Sequence, residues 1–110
     1  MLGTAGLEIK QLASAWAHFD GTATPISIKD SYNVNSITDI SAGKYDINFK
    51  TNMNDVNYAT LTNVGWSSNQ TAAAHEDMDQ RSISGCRVQT IQNGAWADTS
   101  GVSILIFGGK

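Results

Sequence analysis

The alternation of apolar and polar side chains in residues 45–50 constrains the fold more than any other feature of this chain. Apolar Tyr45, Ile47 and Phe49 alternate with polar Asp46, Asn48 and Lys50. Because successive side chains of a strand point to opposite faces of a sheet, this period of two predicts a strand with one buried and one wet face. Gly43 supplies the positive φ of a short hairpin loop, so residues 37–40 are expected to form the preceding strand.

The same pattern, interrupted by turn residues, recurs along the chain. It predicts strands at residues 14–19, 26–31, 37–40, 45–50, 56–65, 82–92 and 102–107, with a turn at Asn93-Gly94. Residues 66–81 lack the pattern, and we expect a long loop there with one helical turn near Thr71–Met78. Together, these strands and turns predict an all-β fold, an antiparallel β-sandwich of about seven short strands. Its interior is expected to hold Trp16 or Phe19, together with Tyr45, Ile47, Phe49, Val88, Ile104 and Ile106.

The last predicted strand is apolar on both faces. Val102, Ile104 and Ile106 alternate with Leu105 and Phe107. A strand of this kind is expected to be buried on both faces, either in the centre of a sheet or at an interface between subunits.

Composition limits the classes of partner. The 110 residues fit one domain, and charged residues make up 15% of them, against roughly 25% in ordinary soluble domains. The net charge is −3 and the sequence contains no Lys/Arg cluster, which argues against binding nucleic acid. Cys86 is the single cysteine, so neither an internal disulfide nor a cysteine metal site is expected. No apolar run approaches the ~20 residues of a membrane helix, so membrane insertion is not expected.

The chain divides into a short leading segment and one domain. Residues 1–12 contain Leu2, Leu7, Ile9 and Leu12 without a basic region before them, so they do not resemble a signal peptide. Two interpretations stay open for this segment: an arm that packs on a neighbouring subunit, or a frayed terminus. Residues 13–110 form the predicted sandwich.

Candidate chemistry is sparse. His18 and His75 are the two histidines, and no Gly-x-Ser-x-Gly motif accompanies them, so we expect no catalytic site. Residues 75–79 are acidic, but their spacing does not match a calcium loop and a solvated acidic loop is the better interpretation. Neither a metal nor another cofactor is expected.

Aromatic residues close to short polar ones are the features that favour ligand binding. A sugar stacks the apolar face of its ring on an aromatic side chain while amides and carboxylates bind its hydroxyls. Trp66 with Asn69, and Trp96 with Asp98, have this composition and are predicted to lie on loops. They are the candidate ligand-binding residues, with Tyr58 as a further aromatic. The alternative is that the tryptophans cover the ends of a thin core.

Several segments resemble the small β-rich domain near the C-termini of bacteriophage tail-fibre and related virion proteins. These segments are Ala15–Gly21, Ser31–Asp39, Gly43–Phe49, Gly85–Thr90 and Val102–Gly108. The family pattern runs A-W-V-x-F-x-G, then S-Y-N-V-S-S-I-T-D, then G-x-Y-x-V-N-F, and often ends V-S-V-x-I-F-G. The chain departs from it at Ala17 and at Met53-Asn54, where the family has Val and Met-Pro. Residues 66–81 match no fixed family pattern.

The resemblance implies a structural, non-enzymatic protein of a phage virion. It would be a tail-fibre-like knob or a short appendage that attaches to the host surface, assembled as a homotrimer and in contact with other virion proteins. A capsid decoration or head-fibre protein is the alternative within this class. A carbohydrate-binding module or lectin is the alternative from another class, and a host glycan is the possible ligand in both settings.

Overall fold

The computed structural model describes residues 12–65 and 72–110, which form two antiparallel sheets packed face to face. The strands are β1 (Ala13–Asp20), β2 (Ser27–Tyr32), β3 (Val34–Ser41), β4 (Lys44–Phe49), β5 (Tyr58–Gly65), β6 (Ala72–Asp77), β7 (Gly85–Gln92), β8 (Ala95–Trp96) and β9 (Gly101–Gly108). The first sheet has the order β2-β1-β9-β5. The second has the order β3-β4-β7-β6, with β8 paired to β7. The all-β prediction is therefore confirmed.

One apolar layer between the sheets forms the core, as the alternation predicts. Every residue expected in the interior is buried, with Phe19 rather than Trp16 on the inner face of β1. Phe19 from the first sheet meets Tyr45 from the second edge-on, with ring centroids 5.2 Å apart. Phe49 and Tyr58 make a second edge-on contact between the sheets at 5.9 Å. These aromatic pairs add attraction beyond the area that they bury.

The loop predicted for residues 66–81 is wrong at residues 72–77. Residues 72–77 form β6, which pairs with β7 in a continuous antiparallel register. A single 3₁₀ turn follows at Met78–Gln80, a few residues after the predicted helical turn. The Ala72–Ala74 run favours a helix in isolation, but pairing with β7 overrides that weak preference. Together with two-residue β8, this strand accounts for the difference from the seven strands expected.

Two predicted turns occur at the expected residues. Gly43 has a φ of +72° between β3 and β4, and a Cβ there would lie 2.3 Å from the carbonyl oxygen of Thr90. Asn93 and Gly94 have φ values of +52° and +82° and join β7 to β8. Positive φ at both central residues is the type I′ geometry, which matches the twist of a hairpin.

The last strand is central in its sheet but is not buried on both faces. β9 lies between β1 and β5, with Val102, Ile104 and Ile106 on the inner face. Leu105, on the outer face, is 41% exposed, so the expectation of burial on both faces is wrong within one chain. Residues 1–11 lie outside the described part, and the N-terminal arm stays a prediction. Within the described residues, no helix is long or apolar enough to cross a membrane.

A buried ion pair ties the edge of one sheet to the edge of the other. Arg81 contacts the Glu76 carboxylate of β6 at 2.5 Å, and Glu76 also accepts a 2.7 Å hydrogen bond from Thr60 of β5. The same guanidinium donates to the carbonyl oxygens of Val56 and Tyr58 and lies over the Tyr58 ring. Only 4% of the Glu76 side chain is exposed. The pair therefore closes the β5–β6 side of the sandwich, where β5 has polar Thr60 and Thr62 facing inward.

Glu76→Gln is expected to lower the free energy of unfolding by about 3 kcal/mol near neutral pH, because it leaves a mostly buried guanidinium without its counter-charge. Burial alone would raise the pKa of Glu76, but hydrogen bonds from Arg81 and Thr60 outweigh burial and lower it. Between that lowered pKa and the ordinary value of 4.5, the unfolded chain binds more protons than the folded protein. The stabilisation that ionised Glu76 provides is thus complete above pH 4.5, and it is lost as the pH falls through the lowered pKa.

Urea unfolding measured across this acidic range checks both the size of the loss in unfolding free energy and the direction of its pH dependence. The matched control is Asp46→Asn, which breaks the more exposed Arg87–Asp46 pair and is expected to cost less than about 1 kcal/mol. Two outcomes would argue against this role for the pair. One is an equal loss of unfolding free energy in the two variants; the other is a Glu76→Gln protein whose stability falls with pH as steeply as that of the wild type.

Candidate functional site

Trp96 lies on the outer surface and not in the core. It belongs to two-residue β8, opposite Ile91 of β7, directly after the Asn93-Gly94 turn. Its side chain is 45% exposed. The interpretation of Trp96 as a cover for the end of the core is therefore wrong, and its indole is available to a ligand.

His75 and Lys44 flank this indole, and the buried side chain of Gln89 stands between them in the register. Lys44 of β4, Gln89 of β7 and His75 of β6 stand opposite one another in the register of the second sheet. The imidazole of His75 lies 5.8 Å from the Trp96 ring, and the Lys44 ammonium lies 5.3 Å from the ring centroid. His75 Nε2 is 2.7 Å from Gln89 Oε1. We call Lys44, His75, Gln89 and Trp96 the Trp96 cluster.

The next row along the same face is charged. Arg87 donates to Asp46 at 2.7 Å and 3.2 Å, and Asp77 stands on the other side of Arg87 in the register. Gln89 Nε2 lies 3.4 Å from the Asp77 carboxylate, which connects this row to the Trp96 cluster. The hydrogen bonds hold the polar side chains in fixed positions, so little order has to be imposed when a ligand binds.

The Trp96 cluster has the components that a carbohydrate site requires. The indole offers a flat apolar surface, and its neighbours offer an imidazole and an ammonium group. The Gln89 amide is buried and contacts His75 and Asp77, so it positions His75 and does not face a ligand. Side chains on paired strands are more rigidly placed than side chains on loops. The arrangement is suited to weak, directional binding of a polar molecule that has one apolar face.

Asp98 does not belong to the Trp96 cluster, and its assignment as a ligand-binding residue stays a prediction. Its carboxylate accepts a 2.8 Å hydrogen bond from the backbone N–H of Gly43 and lies 2.8 Å from the hydroxyl of buried Tyr45. Burial, and after it the Asp98 carboxylate, raises the pKa of Tyr45, which keeps the hydroxyl protonated as a donor. Asp98 therefore fastens the chain after β8 to the β3–β4 turn.

The other candidates divide between the core and the undescribed segment. Tyr58 is buried, with its hydroxyl bonded to the carbonyl oxygens of Ser82 and Gly85, and cannot stack on a ligand. Trp66 and Asn69 lie in residues 66–71, outside the described residues, and their assignment stays a prediction. Sequence reasoning missed His75 because β6 was taken for a loop. It missed Lys44 and Gln89 because strand register, which brings them beside Trp96, was not known.

The described residues contain one contact of a type that hydrolases use. His18 Nδ1 lies 2.8 Å from Ser103 Oγ on the outer face of the first sheet, where both are neighbours across β1 and β9. Asp30 stands opposite His18 on β2, and its carboxylate accepts a hydrogen bond from the backbone N–H of Ser31. This contact joins two strands on an open surface. No group of three or more His, Cys, Asp or Glu suited to a metal occurs in residues 12–65 and 72–110.

Cys86 is unsuited to nucleophilic chemistry. It is buried beside the core residues of β7, and this burial raises the pKa of its thiol to about 12. A thiol with so high a pKa stays protonated and unreactive near neutral pH.

Substitution should separate the structural role of Asp98 from the surface role of Trp96. Asp98→Ala is expected to lower the free energy of unfolding by about 1–3 kcal/mol, because it removes the acceptor of a buried N–H. Trp96→Ala is expected to change it by about 0.5 kcal/mol, as for other surface residues. Chemical denaturation followed by circular dichroism measures both changes. A larger loss of stability for Trp96→Ala than for Asp98→Ala would indicate that Trp96 packs as a core residue.

Comparisons with protein-family models, with curated proteins and with solved structures find no match to this chain. The binding capacity of the Trp96 cluster is therefore inferred from its own chemistry: an exposed indole beside an imidazole and an ammonium group on one sheet face.

Proposed function

We propose that this protein is a non-enzymatic structural component of a bacteriophage virion, a tail-fibre-like knob or short appendage that attaches to glycans on the host surface. The observation that carries the binding part of the proposal is the Trp96 cluster. An exposed tryptophan on a short strand, with an imidazole and an ammonium group beside it, favours a polar ligand with an apolar face. Surface carbohydrate has that chemistry.

The resemblance to phage tail-fibre domains supports the virion part of the proposal. The similar segments include Ala15–Gly21, Gly43–Phe49 and Val102–Gly108, which largely overlap β1, β4 and β9. These strands supply much of the core. The resemblance thus concerns segments that build the sandwich and includes Lys44 and Gln89, whereas His75 and Trp96 lie outside the similar segments.

Three-fold assembly would raise the apparent affinity of a site that binds weakly on its own. A single shallow sheet surface binds one sugar weakly, since most of its surroundings stay open to water. Three copies of the Trp96 cluster, repeated over several trimers, would raise the apparent affinity by on the order of 100-fold or more where they engage together. The homotrimer is therefore part of the proposed function.

Two alternatives differ in location and context. A capsid decoration or head-fibre protein would present the same sandwich on the head, and a soluble lectin would use the same cluster without a virion. Gold-labelled antibody or cryo-electron microscopy on intact particles distinguishes these locations. Labelling confined to the head would replace the tail assignment, and absence from purified particles would favour the lectin.

Trp96→Ala is expected to lower adsorption of phage to host cells at least about tenfold, because it removes the stacking surface from every copy at once. Adsorption rate constants of wild-type and variant particles provide the measurement. Purified protein on an array of neutral and acidic bacterial glycans identifies the ligand, and the same substitution should abolish the array signal.

Two controls limit the interpretation. Trp96→Phe retains an aromatic face and should preserve much of the adsorption, whereas Met78→Ala removes another exposed apolar side chain and should change nothing. Normal adsorption by a correctly folded Trp96→Ala variant would refute binding through this cluster.

A further inference from the structure

A cleft of about 280 Å³ opens at one end of the sandwich, where the chain crosses from β2 to β3. The segments that follow β4 and β9 supply the rest of its lining. Tyr32, which is 52% exposed, lines the cleft together with exposed Asn52 and Asn54. The volume is close to the lower limit of the usual range for small-molecule sites, roughly 300–1,000 Å³, and suits a ligand of about one sugar unit.

Hydrogen bonds hold the walls of this cleft in place. Asn33, which joins β2 to β3, has a φ of +56°, a conformation that asparagine tolerates better than most residues. Its carboxamide donates to the carbonyl oxygens of Ser14 and Thr51 and accepts a 2.7 Å hydrogen bond from the N–H of Thr51. The N–H of Asn54 donates to the carbonyl oxygen of Gly109 at 2.6 Å. The cleft is therefore preformed, and a ligand would have to order little of it.

The chemistry of the lining matches an acetamido group. A carboxamide such as that of Asn52 or Asn54 offers both a C=O acceptor and N–H donors, so it can form paired hydrogen bonds with the N–H and C=O of an acetamide. Tyr32 adds an aromatic ring, which suits the apolar face of a sugar. Lys110 is the one residue with a charged side chain among those that line the cleft, and this composition favours a neutral ligand.

We infer that this cleft is a second carbohydrate site, selective for a neutral sugar that carries an N-acetyl group. The acetamido group binds the carboxamides of Asn52 and Asn54, and the sugar ring lies against Tyr32. The inference goes beyond the proposed attachment through Trp96, because none of the residues of the Trp96 cluster lines this cleft. Since the cleft is shallow and its ligand small, one sugar unit is expected to bind with a Kd on the order of 1 mM.

The cleft and the Trp96 cluster lie at opposite ends of β4. Lys44 of the cluster begins this strand and Phe49 ends it. The N–H of the next residue, Lys50, donates to the carbonyl oxygen of Asn33 at the cleft. At ~3.4 Å per residue, the two ends of β4 are ~17 Å apart. Substitutions at this separation usually act independently, so a variant of one site should leave the other unchanged.

Amide chemical shifts of the full ¹⁵N-labelled chain, titrated with N-acetylglucosamine, test the site. Saturable shifts are expected at Asn33, at residues 51–54 and at Gly109. Glucose lacks the acetamido group and should bind about tenfold more weakly, since the hydrogen bonds to that group are lost. Asn52→Ala removes one carboxamide, and Tyr32→Thr removes the ring while keeping a residue that favours strands. Each variant should weaken binding of N-acetylglucosamine about tenfold.

Two control variants keep the result specific to the cleft. Asn63→Ala removes an exposed carboxamide from β5, outside the cleft, and Trp96→Ala alters the other site; both should bind N-acetylglucosamine at the cleft as the wild type does. The inference is overturned if no cleft residue shows a saturable shift, if glucose binds equally well, or if Asn52→Ala and Tyr32→Thr leave the affinity unchanged. Shifts confined to the Trp96 cluster would also overturn it, while supporting attachment through Trp96.

Discussion

Burial of alternate side chains in one apolar layer is the constraint on which the rest of the structure depends. Phe19, Tyr45, Ile47 and Ile104 are fully buried, and each is followed or preceded by a residue that points outward. A one-residue slip of any strand would bring its outward set into the core. The register is therefore strongly fixed, and with it the rows of outward side chains. The Trp96 cluster is a consequence of this register.

The period of two predicted the core well because burial and strand geometry act on the same residues. The inner faces of β4, β7 and β9 followed from it, whereas for β1 the choice between Trp16 and Phe19 had stayed open. It failed at β6, where Ala72–Ala74 suit a helix and the strand is defined by its pairing with β7. Pairing joins residues far apart in the chain, so local preference could not reveal it. His75 was hidden for the same reason.

The candidate site was predictable only in part. Trp96 follows Asn93-Gly94 closely, and a turn of that type places the next residues at the sheet edge, where large side chains stay exposed. Asp98 has the same local composition, yet its carboxylate turns inward to Gly43 and Tyr45. In irregular segments no period links sequence to direction, so the orientation of Asp98 depends on partners more than 50 residues away along the chain.

The outer faces of the two sheets differ in how they meet water. The central positions of the second sheet hold Arg87, Asp46 and Asp77, whose charges would lose hydration on association, which favours keeping this face exposed. On the first sheet, the row of Trp16, Leu105 and Leu61 is apolar, while the row beside it holds His18 and Asp30. Since the core lies between the two sheets, substitutions around Trp96 need not disturb the opposite face.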